Sequence, residues 1–102
     1  MQSISVEELK RRMDAGEQIN LVDVREPHEN AEFNIGGRLL PVGYIQTMQL
    51  DDIEDLKDQE VILYCRSGNR SGQACLMLET FGFKNPVNLT GGMVEWQKKF
   101  PN

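Results

Sequence analysis

The stretch that decides the fold is "VILYCRSGNRSGQACLMLETFG", residues 61–82. With its two leading residues it opens as "QEVILYC" (59–65), the most hydrophobic run in the chain, and such a run reads as a buried central strand. It closes as a helix: Ala74, Cys75, Leu78 and Phe81 recur on one side of "SGQACLMLETFG", and Gly82 stops it. The stretch that joins the two, "YCRSGNRSGQ" (64–73), holds two arginines, two glycines and three small polar residues. A cysteine kept for packing usually sits among apolar neighbours. Cys65 instead ends a strand and enters a loop that carries positive charge and little bulk.

Outward from this unit the same alternation repeats. On the N-terminal side, a short strand at "SI" precedes a helix over "SVEELKRRMDAG". Ser5 followed by Glu8 forms a capping-box pattern, Val6, Leu9 and Met13 keep helical spacing, and Gly16 ends the helix. "INLVDV" (19–24) reads as a second buried strand, and Pro27 suits the first position of a short helix after it. "NIGGRLLP" predicts a turn and a short strand, and "VGYIQTMQLDDIEDL" one or two short helical turns. On the C-terminal side, "NPVNL" is a last short strand. "GGMVEWQKKF" is a closing helix with Met93, Trp96 and Phe100 at helical spacing. Strand–helix alternation of this kind predicts an α/β fold, a mostly parallel sheet with helices on both faces. Ligands bind such sheets beyond the carboxyl ends of the strands, which is where Cys65 falls.

The bulk numbers narrow the class. With 102 residues there is room for one domain, residues 1–102. Hydrophobic residues at 39% and charged residues at 26% fit a globular chain rather than a disordered or fibrous one. A net charge of −5 argues against nucleic-acid binding. No apolar run is long enough to span a bilayer. The opening "MQSISVEELK" lacks a signal-peptide layout, so a cytoplasmic location without membrane attachment is expected. Two cysteines make no disulfide framework, and one histidine with scattered acids makes a metal site improbable.

The loop chemistry follows from its position. Backbone N–H groups between a strand end and a helix start lack internal partners. Turned inward they form an anion-binding nest, and the helix start adds a positive dipole end. Gly68 and Gly72 allow close backbone approach. A thiol held there loses its proton more easily, with Arg66 and Arg70 favouring the anion further. The competing reading of Cys65 is a small buried hydrophobe; the glycines, arginines and small residues on its helix side favour the nucleophile. Cys75, among Ala74, Leu76 and Leu78, reads as packing, and a resolving role is disfavoured because a rigid helix separates the two sulfurs. His28 could line the rim of the site, but a solvated helix-start residue is the favoured reading. Asp23 and Arg25 point to one side of their strand. Either Asp23 pairs with a loop arginine and holds the loop's shape, or the two form an ordinary strand-end ion pair; a supporting role is expected.

Taken together, "LVDVREPHENAEF", "CRSGNRSGQA" and "GFKNPVNLTGGMVEW" resemble the successive signatures of a single-domain rhodanese, a sulfurtransferase, from about Ser3 to Trp96. The resemblance implies a rhodanese-like fold, a five-stranded, mostly parallel sheet with helices on both faces. It implies that Cys65 thiolate takes the outer sulfur of a donor such as thiosulfate and becomes a persulfide. A thiol or cyanide acceptor, or a protein acceptor, then removes that sulfur. No cofactor is implied beyond the covalent persulfide. Backbone N–H groups from Arg66 through Arg70 would cradle it, Arg66 would attract an anionic donor, Ser67 and Asn69 would add hydrogen bonds, and Ser71 would begin the helix. Many members carry Gly-His-Ile-Pro-Gly-Ala after the second strand. Here the segment is "FNIGGR" (33–38), which leaves the local path and the pocket rim open. Cysteine phosphatases and arsenate reductases also use a cysteine in an anion loop, but phosphatase loops place five residues between cysteine and arginine. Here four separate Cys65 from Arg70, a smaller cradle that suits one sulfur atom better than a tetrahedral oxyanion. A non-catalytic rhodanese-like binding module is the other alternative, although inactive members usually lack the cysteine.

Overall fold

Strand alternation explains the two faces of the sheet. The computed structural model describes residues 1–101. Its strands are β1 (Gln2–Ile4), β2 (Leu21–Asp23), β3 (Arg38–Leu39), β4 (Glu60–Tyr64) and β5 (Asn85–Leu89). They pair in the order β1-β5-β4-β2-β3, every pair parallel, so β4 is central. The helices are α1 (Val6–Asp14), α2 (Pro27–Glu32), α3 (Val42–Gln46), α4 (Asn69–Thr80) and α5 (Gly92–Lys99), with a 3-10 turn at Asp51–Leu56.

On β4, Val61 and Leu63, with Cys65 just beyond, pack with α3 and α4 through Ile45, Ala74, Cys75 and Leu78. Ile62 and Tyr64 point the other way and pack with α1 and α5 through Val6, Leu9, Met93 and Trp96. The period-two alternation of one strand thus serves two cores. It also places Cys65 on the α4 face, where α4's first turn can reach it.

The helix boundaries follow local chemistry. Ser5 caps α1, its hydroxyl accepting the Glu8 N–H at 3.1 Å. The return half of the expected capping box is not made: the Glu8 carboxylate binds Arg11 at 2.9 and 2.6 Å instead. Pro27 occupies the start of α2, as its fixed φ and missing N–H favour. Helix α4 begins at Asn69, two residues before the expected start at Ser71, because Gly68 adopts φ +101° and turns the chain early. Ser71 therefore lies inside the first turn.

The "FNIGGR" segment has a defined path. The Tyr64 hydroxyl donates to the Gly36 carbonyl at 2.9 Å and accepts from the Ile35 N–H at 3.4 Å. Gly37 has φ +89° and lies against β2 so closely that a Cβ would stand 2.4 Å from the Leu21 carbonyl oxygen. No helix among the described residues is long and apolar enough to cross a membrane.

Candidate active site

Cys65 sits at the end of β4 and is 1% exposed. Its Sγ accepts the Gly68 N–H at 3.1 Å and the Ser71 N–H at 3.4 Å, with the Ser71 hydroxyl also at 3.4 Å. The first-turn amides of a helix have no intrahelical acceptor. Here they face a sulfur. Ser71, fully buried, thus touches the Cys65 sulfur itself. The side chains of Ser67 and Asn69 are exposed.

Two opposed effects set the ionisation of this thiol. Burial is the larger single influence and pushes its pKa up. The hydrogen bonds from the Ser71 hydroxyl and from the N–H groups of Ser71, Gly68 and Ser67 together outweigh it, and the pKa falls below the ordinary cysteine value. Hydrogen bonding leads in this depression. Arg70 is committed elsewhere, in a two-pronged pair with Glu29 at 2.8 and 3.0 Å. Cys75 shows burial acting almost alone: it is fully buried, and its pKa is pushed up to about 12.

Helix α5 and strand β5 hold the loop from the far side. The Met93 and Val94 N–H groups donate to the carbonyls of Cys65 and Arg66 at 3.0 and 2.9 Å. With those carbonyls turned outward, the amides of the loop are left to face the sulfur. The contact requires Gly92, whose Cβ would stand 2.4 Å from the Cys65 carbonyl oxygen. Asn88 on β5 donates to the Gly68 carbonyl at 3.2 Å and accepts from the Ser71 hydroxyl at 2.5 Å.

Asp23 and Arg25 form the strand-end pair. The Asp23 carboxylate receives Arg25 Nε at 2.9 Å, Nη2 at 2.8 Å and the Arg25 N–H at 3.0 Å. Asp23 does not meet a loop arginine, because its own strand neighbour saturates it and Arg70 is taken by Glu29. Arg25 also donates to the Phe33 carbonyl at 2.6 Å, so the pair fixes the segment after α2 rather than the cysteine loop. Removing one partner of such a buried pair costs about 3–5 kcal/mol. His28 is exposed on α2 and has no side-chain hydrogen bond among the described residues.

Glu29 and Asn88 are the two site residues that sequence reasoning missed. Asn88 carried a usable signal, a polar side chain within a buried strand beside a pair of glycines. Glu29 carried none, since its partner lies on another element.

A cavity of about 250 Å³ opens beside the loop, where Arg66 meets Glu29, Glu32, Phe33, Met93 and Val94. Arg66 is exposed at this cavity, whose lining also holds Glu29 and Glu32, and makes no ion pair among the described residues. Two larger hollows, beside Tyr44 and Trp96, are lined by neither cysteine nor arginine. Among the described residues no cluster of His, Cys, Asp and Glu is placed to hold a metal ion.

A parallel α/β sheet with a buried cysteine in a strand-to-helix loop, its sulfur facing backbone N–H groups, defines a thiol site able to hold a negative charge. The rhodanese-like domain family matches residues 5–99, and the chain belongs to that family. A protein of Allochromatium vinosum named sulfurtransferase is 37% identical over 95 residues, covering 93% of this chain and 87% of its own. The Bacillus subtilis protein YtwF is 38% identical over 99 residues, covering 95% and 91%. The crystal structure of a rhodanese-like domain protein from Staphylococcus aureus superimposes with a TM-score of 0.81 at 31% identity, over 94% of this chain and 91% of that one.

Proposed function

We propose that the protein is a sulfurtransferase that carries a sulfane sulfur as a persulfide on Cys65. The observation that carries this reading is the convergence of the Gly68 and Ser71 N–H groups, with the Ser71 hydroxyl beside them, on a buried Sγ whose pKa is depressed. The sulfurtransferase name of a relative at 37% identity supports the same reading.

In the first step the Cys65 thiolate attacks the outer sulfur of thiosulfate or a similar donor. A new S–S bond forms, the donor S–S bond breaks, and sulfite leaves with the electron pair. The negative charge now rests on the terminal persulfide sulfur. In the second step an acceptor nucleophile, cyanide or a thiolate on a small molecule or protein, bonds to that sulfur and returns the electron pair to Cys65. Oxidation states balance across the cycle, and no proton must reach a leaving oxygen. The loop donors stabilise the anion at both ends of the cycle. Arg66, at the cavity, recruits the anionic donor.

Intact mass after incubation with thiosulfate tests the reading. A gain of about one sulfur atom that cyanide removes, and that Cys65→Ser abolishes, is the expected result. Absence of the gain together with hydrolysis of an aryl phosphate would overturn it in favour of oxyanion chemistry. Absence of both would leave a binding module.

A further inference from the structure

The Ser71 hydroxyl lies 3.4 Å from Cys65 Sγ and 2.5 Å from Asn88 Oδ1, yet it has one proton to donate. The orientation of the Asn88 amide is fixed independently. Its Nδ2 donates to the Gly68 carbonyl at 3.2 Å, and a flipped amide would set two carbonyl oxygens against each other. Oδ1 therefore faces Ser71, and it can only accept. At 2.5 Å the hydroxyl proton lies between the two oxygens, so the Ser71 oxygen presents a lone pair to the sulfur. That arrangement suits a thiol, whose S–H can donate to Ser71. It does not suit a thiolate, which needs the hydroxyl proton turned towards it.

We propose that Asn88 is a positioning residue for the Cys65 nucleophile: it competes with the sulfur for the single proton of Ser71. While Cys65 is protonated, the hydroxyl serves Asn88. When the sulfur becomes an anion, the hydroxyl rotates to it and Asn88 Oδ1 gives up its donor. The cost of that exchange keeps the thiolate less stabilised, and hence more nucleophilic, than the loop alone would make it. The charged groups nearest this triad are Arg70, which interacts with Cys65, its partner Glu29 on α2, and Arg66 in the loop; none of them bonds to Asn88 or Ser71. Gly72 leaves the space, since a Cβ there would stand 3.3 Å from Asn88 Nδ2.

The inference rests on Cys65 being the nucleophile of the proposed function. The rate of Cys65 alkylation by iodoacetamide against pH reads its ionisation whether or not sulfur is transferred, so the two readings fail separately. Ser71→Ala is expected to raise the Cys65 midpoint, because a thiolate donor is lost. Asn88→Ala is expected to lower it by roughly half a pH unit to one unit, about the worth of one redirected hydrogen bond. In the Ser71→Ala background the Asn88 substitution should leave the midpoint unmoved. Asn88→Val, β-branched and suited to a strand, carries the same expectation should the alanine variant fail to fold. A shift of equal size with and without Ser71 would overturn the proposal. So would a raised midpoint in the single variant, which would mean that Asn88 acts by anchoring the Gly68 carbonyl.

Discussion

Glu29 on α2 grips Arg70 in the first turn of α4 with both carboxylate oxygens, at 2.8 and 3.0 Å. The pair ties the cysteine loop to the helix that follows β2. It also balances the positive charge of Arg70, which makes that arginine a buttress of the loop more than a recruiter of anions.

The pair gives stability a specific pH dependence. Hydrogen bonds from Arg70 are the main cause that holds the Glu29 pKa down, from the ordinary 4.5 to about 2. A carboxylate with a depressed pKa in the folded state contributes stability above its unfolded value and loses it as pH falls through the folded one. The contribution is therefore complete above about pH 4.5 and fades towards pH 2. Urea unfolding of the wild type and of Glu29→Gln should differ fully at neutral pH and converge near pH 2. A gap that stays constant down to that pH would show that the pair is not what Glu29 supplies.

Gly92 marks the closest approach of α5 to the loop. Its φ of +54° and the 2.4 Å from a built Cβ to the Cys65 carbonyl leave no room for a side chain. Gly92→Ala is expected to cost about 2 kcal/mol or more. It should also slow Cys65 alkylation at neutral pH, since the loop amides lose their inward pose. Thermal unfolding and alkylation rate, measured together, check this; unchanged alkylation would mean the nest does not depend on α5.

Arg66 should separate donor capture from thiol chemistry. Arg66→Ala is expected to reduce persulfide formation from thiosulfate by about tenfold, the effect of one charge-assisted contact of about 1.5 kcal/mol. The alkylation rate of Cys65 by neutral iodoacetamide should change little. Equal loss of both would assign Arg66 to loop shape.

The two cysteines should part in reactivity. The Cys65 pKa lies below the ordinary cysteine value through its hydrogen bonds, and that of Cys75 is raised to about 12 by burial. Mass mapping after iodoacetamide at pH 8 should find label on Cys65 alone, with Cys75 labelled only after unfolding. Label on Cys75 in the folded protein would show that its helix opens.

The strand–helix order, the central place of "VILY" and the nest around Cys65 were legible because each rests on residues adjacent in the chain. Periodicity in "SGQACLMLETFG" needs no partner to be read, although a glycine cap moved the start of α4 back to Asn69. Partnerships were less legible. Glu8 turned to Arg11 instead of completing its capping box, because a guanidinium one helical turn away offers a carboxylate two charged donors. Asp23 met Arg25, its same-side neighbour, while the loop arginine Arg70 went to α2.

By itself the sequence determined the place of Cys65 at a strand end, the four-residue spacing to Arg70 and the strand-to-helix loop that holds them, since these depend on local backbone geometry. Only the tertiary structure decided what surrounds the sulfur. Parallel pairing sets β5 beside β4 and brings Asn88 within reach of Ser71. Gly92 lets α5 draw the loop carbonyls away, and Glu29 reaches Arg70 from across the sheet edge. Which donor meets which acceptor depends on strand order and on distances of a few ångströms, and neither is written in any one stretch of the chain.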